Sequence, residues 1–404
     1  MPPELDYRYD WLEAAIEENN IGCRIVYLSN KLFQEPVIFY MSDFLHEGTT
    51  AFDPGKIASH PEKFQRQRAK LRLHLSAILR TLLDEYRPDA FVSASVGDIR
   101  WRETIKGARE LGIPWVVTER EGVIAPIVFE KNITFVKSQF DPEADLMCAS
   151  NELHKTYWEK IGLHGGKVVV TGDLKSDIWK NESCWPARYQ IHPALREDRI
   201  LLLYLAFGNR NYIDERFYPN DSRDWSPLQT EHYEVLRNIA LEYHDNVQIV
   251  IKGGHLHDLS EWFSDNLEGK TPENIIILSS SYQALDLILN ADIIVGFQTT
   301  ALIESMFTDK PILYPAWGDL YSEIQEDLIP LHRSGAVSWV HSKEELQDCI
   351  VSFIKNRESL ALDKDMLRNR KEFRESYYYR PDGKAGLRTY QAIEDFLKGR
   401  GIHS

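Results

Sequence analysis

Short apolar runs alternate with longer amphipathic ones along most of the chain. In the first half the runs Arg24–Leu28, Ala90–Ser93, Pro114–Thr118, Asp145–Ala149 and Lys167–Thr171 have the length and composition of strands, and the spacing between them predicts helices over 61–86, 101–111 and 151–161. Near-continuous apolar strands between amphipathic helices mark a parallel sheet covered on both faces, because such strands have no polar side to show to water. The series then begins afresh with Ile200–Ala206, Val247–Lys252, Ile275–Leu278, Asp292–Val295, Ile312–Tyr314 and Ala336–Val340, and with helices near 228–243, 282–289 and 300–307. One departure stands at the start, where a helix over Trp11–Asn19 precedes the first strand.

Between the two series lies KNESCWPARYQIHPALRED, polar, with two prolines and no period. It predicts a linker over 181–198. The expected class is α/β, with a Rossmann-like doubly wound domain over 1–180, a second over 199–378, and a C-terminal helix within 379–404 packing back across the cleft between them. Ligands of open α/β sheets bind outside the carboxyl ends of the strands, so that cleft is where the loops should converge. A length of 404 residues agrees with two cores rather than one. No fixed-period repeat or low-complexity tract interrupts the pattern.

Charge narrows the function. A net charge of −15 argues against nucleic acid as the main partner, since that would need a broad basic surface. No apolar run approaches the roughly 18 residues that span a bilayer, and the opening MPPELDYRYDW lacks the charged-then-apolar layout of a signal peptide. A cytoplasmic protein is expected. Four cysteines (Cys23, Cys148, Cys184, Cys349) are scattered with no metal-ligand spacing, and read as reduced, mostly buried thiols. A basic run in the first long helix (Lys63, Arg66, Arg68, Lys70, Arg72) reads either as a solvated face or as a contact for anionic lipid at the inner face of the membrane or for a charged glycan.

Four loops carry the candidate chemistry. After Ile200–Ala206 comes Phe207-Gly208-Asn209-Arg210, where Gly208 lets the backbone approach a phosphate and Arg210 can pair with it. After Val247–Ile251 comes Lys252-Gly253-Gly254-His255; a buried strand running into a lysine, two glycines and a histidine suits an anionic ligand, because neither charge nor imidazole is easily desolvated alone. After Asp292–Val295 comes Gly296-Phe297-Gln298-Thr299-Thr300, two hydroxyls at a helix start, with Glu304 one turn further on where it can accept from ribose hydroxyls. A capping threonine and a surface glutamate would give the same letters. The fourth is Tyr377–Arg388, an Asp-Gly turn opening the last helix. Trp101, Tyr212 and Trp317 stand near strand ends, where an aromatic ring can stack on a sugar or base.

Taken together, VTGDLKSDIW, IVIKGGH, ADIIVGFQTTALIESMFTDKPILY and DGKAGLRTYQAIEDFL stand in the order and rough spacing of GT-B glycosyltransferases of bacterial surface and capsular polysaccharide synthesis. Within these the sequence resembles the group of the CDP-glycerol glycerophosphotransferases and of capsule transferases that use CMP- or CDP-activated donors. The resemblance covers residues 145–398, and the first 140 in layout only. In that group a Lys-Pro-His-Pro element and a Ser-Ser element bind the donor phosphates. Lys252–His255 and Thr299–Thr300 correspond, with glycines before the histidine, Leu256 after it, and threonines for serines.

The resemblance implies an inverting, metal-independent GT-B transferase without a cofactor, moving a sugar from a CMP/CDP- or UDP-type donor to a surface polysaccharide or glycolipid. His255 would discharge the nucleotide. The base would come from the N-terminal domain, with Glu119 and Glu121 of Glu119-Arg120-Glu121-Gly122 as first candidates and Asp98 behind them. Alditol-phosphate transfer, UDP-sugar 2-epimerisation and non-catalytic nucleotide binding share the same motifs.

Overall fold

The computed structural model describes Leu12, Ile16, Glu17, Val96 and residues 21–45, 54–94, 99–119, 125–139, 143–163, 166–180, 186–209, 223–253, 271–279 and 281–402. In chain order these form α1 (Lys31–Met41), α2 (Pro54–Ser59), α3 (Pro61–Tyr86), β1 (Phe91–Ser93), α4 (Ile99–Glu110), β2 (Trp115–Thr118), α5 (Pro126–Gln139), β3 (Leu146–Ala149), α6 (Glu152–Ile161) and β4 (Lys167–Val170). There follow α7 (Arg188–Ile191), β5 (Ile200–Leu205), α8 (Ser226–Glu242), β6 (Val247–Lys252), β7 (Ile275–Leu278), α9 (Ala284–Asn290), β8 (Ile293–Gly296) and α10 (Thr300–Ser305). The chain ends with β9 (Ile312–Pro315), α11 (Asp319–Ile324), β10 (Ser338–Val340), α12 (Lys343–Lys355), α13 (Lys364–Tyr378) and α14 (Ala385–Gly399). Two compact units emerge: Met1–Gly122 with Asn132–Lys180 and Tyr377–Ser404, and Val123–Lys131 with Asn181–Ser376.

The first unit holds a parallel sheet in the order β1-β2-β3-β4. On one face, Leu71, Leu75 and Leu79 of α3 recur at helical spacing and are fully buried, packing with Phe91, Trp115 and Val117 of the sheet. Trp101 packs against the same core, its ring 5.5 Å from Phe33 and 6.1 Å from Trp115. On the other face Val116, Leu146 and Cys148 are covered by Ala392, Ile393 and Phe396 of α14. Burial pushes the Cys148 thiol up to about 12. Cys23, by contrast, is exposed.

Two of the quoted motifs meet in this unit. The Asp177 carboxylate accepts from the backbone N–H groups of Ala385 (2.9 Å) and Gly386 (2.8 Å) and so caps α14. Arg388 in turn donates to the Thr171 carbonyl (2.8 Å) and to Asp382 (2.8 Å). Burial raises the Asp177 carboxyl while the two backbone donors pull it back. The Asp-Gly turn read as a ligand loop is therefore a fastening of α14 to the end of β4. Residues 21–29 form no strand; Val26 keeps 38% of its surface exposed, too little burial to hold a sheet edge. The helix expected over Trp11–Asn19 lies outside the described residues except for Leu12, Ile16 and Glu17.

The second unit holds a parallel sheet in the order β10-β9-β8-β5-β6-β7. From β5 the chain runs outward through β6 and β7, returns to the other side of β5 at β8, and continues to β9 and β10. The strand order thus reverses between β5 and β8, the switch point where open α/β sheets leave a crevice at their carboxyl ends. Every residue of β5 is buried, as a central strand covered on both faces requires. Residues 186–198, read as linker, are folded onto this unit. The buried Arg188 guanidinium donates to the carbonyls of Asn290 (2.8 Å) and Arg199 (2.7 Å) and to the Asp292 carboxylate (2.9 Å), which also accepts from the Leu201 N–H.

Candidate functional site

The carboxyl ends of β6, β5 and β8 lie level, because Leu205 is in register with Lys252 on one side and with Gly296 on the other. Two strand spacings, about 10 Å, therefore separate the backbone at Lys252 from that at Gly296. Gly208, half-buried, follows β5 in the gap between them. Gly296 is where α10 comes closest to the sheet: a Cβ there would stand 3.1 Å from Leu205 Cβ and 3.2 Å from a Leu302 methyl.

Gln298 turns the chain from β8 into α10, and its φ of 45° is the left-handed region that a branched or bulky residue enters at a cost of about 1–2 kcal/mol. Its side chain holds that conformation. The amide nitrogen donates to the Tyr314 hydroxyl (2.7 Å) and the Ile329 carbonyl (2.9 Å), and the amide oxygen accepts from the Ile329 N–H (2.9 Å). The sequence suggests a contact with the donor; the Gln298 side chain is buried instead, where Tyr314 and the backbone of Ile329 engage both ends of its amide. Gln298→Ala leaves the Ile329 N–H without a partner, while its carbonyl keeps the bond from the Leu331 N–H (2.7 Å), and we expect it to destabilise the second unit by about 1–3 kcal/mol, measured as a lower urea midpoint.

The turn presents Thr299 and Thr300, both half-buried. Thr299 occupies the cap position of α10 with extended backbone, yet its side chain makes no capping bond. Among the described residues neither hydroxyl is engaged. This separates the pair from an ordinary threonine cap. Glu304 lies one turn further along α10 and is only 4% exposed. At the end of β6, Lys252 is half-buried with Nζ on the Gly253 carbonyl (2.8 Å), and Gly253 is tied to β7 through the Leu278 carbonyl (3.1 Å). Arg210, Tyr212, Gly254 and His255 lie outside the described residues. Trp317 is half-buried; its ring meets His232 edge-on at 5.0 Å and its indole N–H donates to Glu231.

In the first unit Glu119 follows β2 and is buried. One carboxylate oxygen accepts from the Trp158 indole, the other from the Ser150 N–H (3.0 Å) and pairs with His154 Nδ1. The carboxylate that the sequence offers as a base thus has both oxygens engaged by neighbours within the first unit. Asp98 and Glu121 lie outside the described residues.

His154 is the residue that sequence reasoning missed. It stands in the first turn of α6, where the Asn151 side chain caps its N–H (2.8 Å), and its Nε2 is buried without a hydrogen-bond partner. The signal available was Ser150-Asn151 at a strand end followed by a histidine three residues after the cap.

No family model and no curated protein sequence matches the chain. Solved structures do. A UDP-N-acetylglucosamine 2-epimerase superposes with a TM-score of 0.53 at 14% identity, over 98% of this chain and 95% of that one. The UDP-GlcNAc 2-epimerase from Neisseria meningitidis bound to UDP-GlcNAc gives 0.50 at 14% identity, over 96% and 97%. The wall teichoic acid polymerase TagF gives 0.50 at 14% identity, over 72% of this chain and 70% of that one. Two parallel Rossmann-like sheets, the switch point between β5 and β8, and likeness to both kinds of enzyme identify the chain as a protein of the GT-B fold.

Proposed function

We propose that this protein is an inverting transferase that moves a sugar from a nucleotide-activated donor, of CMP/CDP or UDP type, onto a surface polysaccharide or glycolipid. The observation that carries this reading is the pair of unengaged hydroxyls, Thr299 and Thr300, at the switch point of the second sheet, in the turn that follows Gly296, itself level with Lys252. Hydroxyls, an ammonium group and glycine backbone at the ends of neighbouring strands suit an anionic ligand such as a diphosphate. The solved structures that share the fold are named for UDP-GlcNAc and for teichoic acid polymerisation, which supports a nucleotide-sugar partner.

In this reading Lys252, Thr299 and Thr300 neutralise the phosphates, the backbone of Gly208, Gly253 and Gly254 allows close approach, and Arg210 pairs with a phosphate oxygen. Glu304 accepts from the ribose, and His255 stabilises the departing nucleotide. In the first unit the proton of the acceptor hydroxyl passes to Glu121, or to His154. Glu119 orients the His154 ring through Nδ1, leaving Nε2 as the acceptor.

The test is a thermal-shift series with CMP, CDP, UDP and GDP. A nucleotide held at a hundred times its Kd stabilises the folded form by about 2.7 kcal/mol, so one or two of the four should raise the Tm clearly. No shift with any of them rejects the reading. With the right donor in hand, the mass of the product separates the chemistries: a phosphodiester means alditol-phosphate transfer, and an isomerised donor formed without acceptor means an epimerase.

A further inference from the structure

The basic run of α3 divides in two in the structure. Arg68 and Arg72 turn inward to Glu103, and Lys63 pairs with Asp43 at 2.9 Å. Arg66 and Lys70 stay exposed and make no ion pair among the described residues, as does Arg80 further along. At helical spacing Arg66, Lys70, Leu73, Ala77 and Arg80 form one outward row. Leu73, in the middle of it, is 72% exposed.

This row continues onto α1. His74, next to Leu73, meets Tyr40 with ring centres 5.6 Å apart and a 3.3 Å contact between Nδ1 and the hydroxyl. Tyr40 in turn meets Phe39 at 4.9 Å. Phe39 is 78% exposed and its neighbour Ile38 45%. Large apolar side chains pointing at water from two packed helices, with three unpaired cations alongside, are not a solvated face.

We propose that this face of α1 and α3 docks the protein on an anionic lipid surface, with Phe39, Ile38 and Leu73 entering the headgroup boundary and Arg66, Lys70 and Arg80 meeting lipid phosphates. Three exposed cations with no ion pair among the described residues match the phosphates of an anionic lipid surface, and the exposed leucine and isoleucine beside them match its apolar boundary; a second copy of this chain is one of the outcomes the test separates. The aliphatic pair decides between lipid and soluble glycan, since a glycan has no use for them. Glu62 and Asp84 lie at the two ends of the same row and bound the basic stretch.

Flotation of the full chain with phosphatidylcholine vesicles, with and without phosphatidylglycerol, tests this without any donor, so its outcome is independent of the proposed transferase reaction. Binding is expected only to the vesicles with phosphatidylglycerol, and it should weaken as salt rises. The double variant Phe39→Ser, Leu73→Ser and the double variant Arg66→Glu, Lys70→Glu should each lower it by about tenfold or more. All four positions point to solvent, and an unchanged melting curve confirms that each variant folds. Equal binding to both vesicle types, no binding, or full binding by either variant overturns the proposal. So does a dimer in sedimentation that the Phe39→Ser, Leu73→Ser variant dissociates, or binding to soluble dextran sulfate that this variant leaves intact.

Discussion

Glu103→Ala should destabilise the first unit by about 3 kcal/mol, one of the two largest effects we expect from a single site. The Glu103 side chain is fully buried between α3 and α4, and both of its oxygens are taken: one by Arg68 (Nε at 2.9 Å), the other by Arg72 (Nε at 2.8 Å). Removing one partner of a buried ion pair costs about 3–5 kcal/mol, because the remaining charge stays desolvated. The lower end applies here, since Arg72 keeps 32% of its side chain exposed and can turn to water. Urea unfolding followed by tryptophan fluorescence would read the change as a lower midpoint. Exchanging all three charges together, Glu103→Leu with Arg68→Met and Arg72→Met, should recover most of the loss, because apolar groups of similar volume have no charge to strand. Equal losses in the single and triple variants would mean that packing, not charge, holds α4 in place.

The second large effect concerns turnover. Thr299→Val with Thr300→Val keeps both side-chain shapes and removes both hydroxyls. If these hydroxyls hold the donor phosphates as charge builds on the leaving nucleotide, kcat/KM should fall by about a hundredfold. The melting temperature without ligand should hardly move, because Thr299 makes no capping bond to lose. Thr299→Ser with Thr300→Ser retains the hydroxyls and should keep most of the activity. Full activity in the valine pair would remove these residues from the site, and a fall in stability alone would return them to the role of helix start.

Much of this architecture is legible from the residues. The bounds of β6 and β7 follow directly from apolar runs that stop at Gly253 and Ser279, and the restart of the strand series at Ile200 marks the beginning of the second sheet. Local patterns fail where a partner distant in sequence decides. Gln298 looks like a polar turn residue; the Tyr314 hydroxyl and the backbone of Ile329, both distant in sequence, turn it inward. Arg68 and Arg72 look like part of a solvated run until α4 delivers Glu103. The N-terminus of α14 looks open to an anion, and Asp177 fills it. Arg24–Leu28 has the composition of a strand and, among the described residues, no neighbour to pair with.

The division of the chain also governs how it matures during synthesis. Unit 1 draws its pieces from before and after unit 2, and the face of its sheet around Val116, Leu146 and Cys148 is closed by Ala392, Ile393 and Phe396. While residues 181–376 are still being translated, that apolar face is bare and the cap on Asp177 has no helix to hold. The nascent chain therefore carries an open hydrophobic surface for the whole time the second unit takes to emerge, and chaperone binding in that interval should centre on β2 and β3.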